Sequence, residues 1–160
     1  ILSIFDLIVT FSSNNKVTYK GTIENLHILD YEYYFKVTDA LLKQEHSEAL
    51  LLFDQIIKEG FDGHHFIVGL ASHMRDLMVC KDVATISLLE VSESVKAKYQ
   101  EQASESDLSF LLSALNISAL CDQSYKASKN QRLHVELALM KIAHVQQVIS
   151  LNPGDLKKKS

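Results

Sequence analysis

The chain has 160 residues, 47% of them apolar, and a formal net charge of −4. That is enough apolar material for one domain with its own core, and the charge argues against a broad cationic nucleic-acid surface. No apolar run approaches the roughly 20 residues of a membrane span and no signal pattern opens the chain, so a cytoplasmic location is expected.

One proline and five glycines leave few turn signals. β-Branched alternation is nearly absent, so the predicted fold class is all-α, a bundle of helices with short caps between them. The chain opens on Ile1-Leu2-Ser3-Ile4-Phe5 without an initiator methionine, as a piece of a longer polypeptide would. Leu2, Phe5, Ile8 and Val9 recur at helical spacing and stop at Ser12-Ser13-Asn14-Asn15; Thr18 then caps a short helix through Leu29. Asp30 caps a helix over Tyr31 to Lys43, and Ser47 starts the next, which presents Ala49, Phe53, Ile56 and Ile57 on one face and stops at Gly60 in the left-handed region.

Asp62 caps a long helix carrying Phe66, Leu70, Met74, Leu77 and Met78. A short helix near Ala84 to Leu89 follows, and Ser92 caps a polar, solvent-facing helix through Ala103. Asp107 caps the penultimate helix, whose expected buried stripe is Leu108, Leu111, Leu112, Leu115 and Ala119. Tyr125 to Asn130 form a polar break. The last helix is apolar on two sides: Leu133, Leu137 and Met140 line one face, while Val135, Leu139, Ile142 and Ile149 line another. Such a helix needs cover on most of its circumference, so one face is expected in the domain's own core, that of Val135, Leu139 and Ile142, and the other at a neighbour. Asn152-Pro153-Gly154 ends it, and 152–160 reads as the start of a linker.

The residue pattern offers little chemistry. No G-x-x-x-x-G-K-[ST] phosphate loop occurs, and Gly60 and Gly63 fit a helix stop and a helix start. His64-His65 beside Asp62 suggests a metal- or ligand-binding helical enzyme as the alternative function, but neighbouring helical positions diverge by about 100°, so both rings cannot easily face one ion. A capping turn accounts for the pair. His65 and His73 lie eight apart with no third ligand at helical spacing, and His134-Val135-Glu136 lacks the P-C-x-x-C of a zinc deaminase. Cys80 and Cys121 lie far apart in apolar stretches and read as buried free thiols in a reducing compartment. Tyr31, Tyr33 and Tyr34 sit on one helix with few lysines, which favours packing over base stacking; Lys126, Lys129 and Arg132 form a basic helix entry.

Leu29 to Leu42, Ala49 to Ile56, Gly60 to Phe66 and the run Arg132 to Met140, in that order and spacing, resemble the gamma/tau subunit of bacterial DNA polymerase III, in a form similar to that of Bacteroidetes-type bacteria. The resemblance extends over nearly the whole chain. It implies a piece of the sliding-clamp loader, an AAA+ machine that uses ATP to place a ring-shaped clamp on primed DNA during replication. Residues 1–30 resemble the last two helices of the lid domain, and 31–151 the helical collar through which the subunits join.

The family's ATPase motifs precede such a piece, so ATP and Mg²⁺ belong to the parent chain. No catalytic, cofactor or metal residue is expected here, and the piece itself is not an enzyme. The expected partners are other gamma/tau copies, delta and delta prime, with no direct contact to nucleic acid or membrane. The assembly is an oligomer, and the candidate subunit interface is Arg132, Leu133, His134, Leu137, Met140 and Lys141.

Overall fold

The computed structural model describes residues 30–150. The chain divides into two compact units, Ile1–Tyr31 and Glu32–Ser160. The expected helices over 2–9 and 18–29, the cap at Thr18 and the linker at 152–160 lie outside the described residues.

Among the described residues the architecture is all-α: α1 Tyr31–Leu42, α2 His46–Lys58, α3 Gly63–Val79, a 3₁₀ turn at Ile86–Leu88, α4 Glu93–Ser104, α5 Leu108–Ser124 and α6 Gln131–Ser150. α3 is the axis of the bundle. It packs most extensively on α5, and also meets α4 and α6; α6 in turn lies against α5 and α2. Phe66, Ile67, Leu70, Met74 and Leu77 of α3 are fully buried, as are Phe53 and Ile56 of α2. Deep burial of side chains this large is the main drive for closing the bundle, about 1.5–3 kcal/mol each.

The helix ends follow local chemistry. Ser92 Oγ accepts from the Val95 N–H at 3.4 Å and caps α4. Asp62 and Asp107 occupy the N-cap positions of α3 and α5 with extended backbone, yet neither side chain caps its helix. Ser47 falls inside the first turn of α2, whose N-cap is Glu45. Asn130 instead caps α6, its Oδ1 accepting from the Leu133 N–H at 3.1 Å.

Gly60 has φ +95°, and the Gly60 and Phe61 N–H groups bond back to Ile57 and Ile56 carbonyls, a Schellman stop. The same pair of bonds ends α1, from Gln44 to Leu41 and from Glu45 to Ala40, but with glutamine at φ 62° in the left-handed position.

Two expected faces are corrected. α4 is not simply solvent-facing: Tyr99, Gln102 and Ala103 are buried. Here hydrogen bonding and an amphipathic tyrosine substitute for an aliphatic stripe. On α5 the buried set is Phe110, Leu111, Ala114, Ser118 and Cys121, while Leu108 and Leu112 are exposed. A helix apolar on several sides can turn either stripe inward, and contact with α3 selects the narrower one, where Ala114 and Ser118 allow close approach. The expected helix at 84–89 shrinks to the 3₁₀ turn, held by Thr85 Oγ1 donating to the Val79 carbonyl at 2.6 Å and by the Ala84 N–H donating to Asp82 Oδ1 at 2.8 Å.

Candidate functional site

The last helix sorts its apolar residues by the 100° turn between neighbours. Val135, Ala138, Leu139, Ile142 and Ala143 are buried, so the face expected to fill the core does so. Leu133, Leu137 and Met140 remain 52%, 44% and 36% exposed at helical spacing i, i+4, i+7. The outer side of α5 adds Leu112 and Leu120, 57% and 54% exposed. Between these helices runs a groove of 120 Å³ walled by Ile117, Leu120 and Ser124 on one bank and by His134, Leu137 and Lys141 on the other. A wider depression of 440 Å³ continues from it, lined by Ile117, Met140, Lys141, His144 and Val145.

Polar contacts hold the banks in place. His134 Nε2 lies 3.0 Å from Ser124 Oγ and 3.2 Å from the Cys121 carbonyl, which staples α6 to α5. Burial pushes the Cys121 thiol up to about 11, so it stays protonated and unreactive at neutral pH. Arg132 turns the other way. Its Nη2 donates to Asp54 Oδ1 at 2.6 Å, and its Nε sits 3.6 Å from Glu136 Oε2, tying α6 to α2.

Hydrogen bonds from Lys58 and Arg132 hold the Asp54 carboxyl below its ordinary range. Of the six candidate interface residues, His134, Leu137, Met140 and Lys141 thus line the groove and depression. Leu133 shares their exposed side, and Arg132 is committed to an ion pair within the chain.

The α5 half of this face was not among the candidates. Its signal was nonetheless present in the sequence, since Leu108, Leu111, Leu112, Leu115 and Leu120 cannot all lie on one stripe.

The other motifs resolve into packing. His64 Nε2 lies 2.5 Å from Asp122 Oδ1 and its ring lies 5.0 Å from that of Tyr125, while His65 is exposed, so the two rings do not converge on one point. No group of three His, Cys, Asp or Glu side chains among the described residues could hold a metal ion. Glu136 of the His134-Val135-Glu136 run faces Arg132, and Val135 is in the core. Tyr34 is buried against Phe66, with ring centroids 5.8 Å apart, and Tyr33 Oη donates to Glu59 Oε2.

His73 is the polar residue whose place was least expected. It is 2% exposed, ringed by Tyr34, Phe35 and Tyr99, and its Nε2–H donates to Gln102 Oε1 at 2.8 Å; Gln102 Nε2 donates onward to the Phe35 carbonyl at 3.0 Å. Burial lowers its pKa to about 4, so at neutral pH it is an uncharged core group.

Among the described residues no helix is long and apolar enough to cross a membrane. Comparison with curated protein sequences gives no match. The family model described as DNA polymerase III subunits gamma and tau domain III matches residues 24–156, and with so much of its length matched, the chain belongs to that family.

Proposed function

We propose that this chain is an oligomerisation collar of the gamma/tau subunit, the part of the clamp loader that holds subunits together while ATP chemistry proceeds elsewhere in the parent protein. The observation that carries this reading is the outer face of α5 and α6. Leu112, Leu120, Leu133, Leu137 and Met140 stand exposed beside a bundle whose own core is already filled. Exposed apolar side chains around a shallow groove suit a protein interface better than a small-molecule site.

In this reading residues 1–30 are the end of the lid, 31–151 the collar and 152–160 a linker. The partners are gamma/tau copies, delta and delta prime, in the cytoplasm. The piece contributes neither cofactor nor catalytic residue, and its role in loading the clamp on primed DNA is architectural. Metal or ligand chemistry at His64 and His65 is not favoured, because His64 is already engaged by Asp122.

Sedimentation of the purified chain, alone and with related clamp-loader subunits, tests the proposal. Association that rises with concentration and strengthens with those subunits is expected, through an interface of about 1,200–2,000 Å² in total. A strict monomer that ignores them removes it. Calorimetry with ATP is expected to show no saturable binding.

A further inference from the structure

Lys141 stands where the groove and the depression of the outer face meet, because the two share Ile117 and Lys141 as walls. Leu120 and Leu137 lie to one side of it, Met140 and Val145 to the other. The ionisable groups that line the pair are Lys141, His134, His144 and the Cys121 thiol; no carboxylate does. The two carboxylates of these helices are engaged elsewhere, Asp122 with His64 and Glu136 with Arg132. An all-aliphatic partner laid here would strip water from the Lys141 ammonium without returning a counter-charge, at a heavy desolvation cost.

Resting on the reading of this face as a subunit interface, we infer that it selects a partner helix bearing a carboxylate between two aliphatic side chains on one stripe, with Lys141 as the specificity-determining residue. The aliphatic side chains enter the groove and the depression, and the carboxylate meets Lys141 Nζ between them. A twofold pairing of two copies through this face works against itself. An isologous contact presents the same patch twice, and because no carboxylate lines that patch, neither Lys141 finds a counter-charge on the other copy. The occupant is therefore a different surface, carried by a related subunit.

The test is sedimentation of the chain with the related clamp-loader subunits, comparing wild type, Lys141→Gln, Lys141→Glu and Leu137→Asp at low and high salt. Lys141→Glu is expected to weaken association by about tenfold or more, and Lys141→Gln by less. Added salt is expected to weaken the wild type more than Lys141→Gln. Because Lys141 is exposed, an unchanged helical circular dichroism spectrum accompanies these losses. If Leu137→Asp blocks association while Lys141→Glu assembles like wild type, the carboxylate selection is wrong and the interface stands. If none of the variants changes assembly, the interface reading fails and takes this inference with it.

Discussion

The two flanks of α3 are built on opposite plans. Toward α1 and α4 the molecule takes polar groups inside: His73 and Gln102 are buried beside aromatic side chains, and Gln102 bonds the Phe35 carbonyl. Beyond α5 and α6 it is apolar and open, with leucines at the surface and no cover among the described residues. Polarity therefore does not sort inside from outside in this fold. His73 Nε2 and Gln102 make hydrogen bonds inside while His73 Nδ1 makes none, and apolar side chains are left outside where the core has no more room.

The sharpest way to break this contrast is to place the same charge on either side of one helix. Leu139→Asp puts a carboxylate where the side chain is 1% exposed. It is expected to cost about 4 kcal/mol or more, enough to unfold a marginal domain, as read by urea denaturation. Two residues away Leu137→Asp is the counterpart and belongs at the other end of the scale. If the two variants denature alike, the division of α6 into inner and outer faces is wrong.

The flank toward α1 and α4 is next in size, and pH probes it. The folded pKa of His73 is held down at about 4 against an ordinary 6.5, so the unfolded chain binds a proton that the folded chain refuses. The stability gained by keeping this ring neutral is complete above pH 6.5 and is lost as pH falls toward 4, about 3 kcal/mol in all. Denaturation at pH 7 and pH 4.5, repeated in His73→Gln, isolates this share from that of the carboxylates. An equal loss in the variant would contradict it.

Gly69 tests the same flank sterically. A Cβ there would overlap the Tyr34 phenol, so Gly69→Ala is expected to destabilise by about 2 kcal/mol despite alanine's better helix propensity, measured as a lower urea midpoint. A gain in stability would mean that the ring moves aside freely. Away from both flanks, Gln44 at φ 62° carries a strain that glycine lacks. Gln44→Gly is expected to stabilise by about 1 kcal/mol in the same assay. Smallest of all is Leu137→Asp, within about 0.5 kcal/mol for folding of the isolated chain, yet the most damaging for association with partner subunits.

Much of the candidate face is legible in the residue spacing. The spacing of Leu133, Leu137 and Met140 marked an outer stripe, and Val135, Leu139 and Ile142 the inner one, because a single helix repeats every 3.6 residues whatever it packs against. What escaped was the half contributed by α5. Hydrophobicity alone places Leu108 and Leu112 inward, yet that helix is apolar on several sides and the structure leaves both exposed. Arg132 escaped differently: its partner Asp54 is 78 residues away, and no local pattern reports a contact of that range.

The helical class, the left-handed stop at Gly60 and the cap at Ser92 are readable from the residues alone, since these depend on neighbours within a turn or two. So is the family, through the order of its segments along residues 24–156. Long-range packing sets the rest: α4 buries Gln102 against His73 Nε2, α5 turns Ala114 and Ser118 toward the core and Leu112 away, and Lys141 stands between two depressions. Each of these depends on which helices meet at a given place. Burial is a property of pairs of surfaces, and one helix read alone holds only half of each pair.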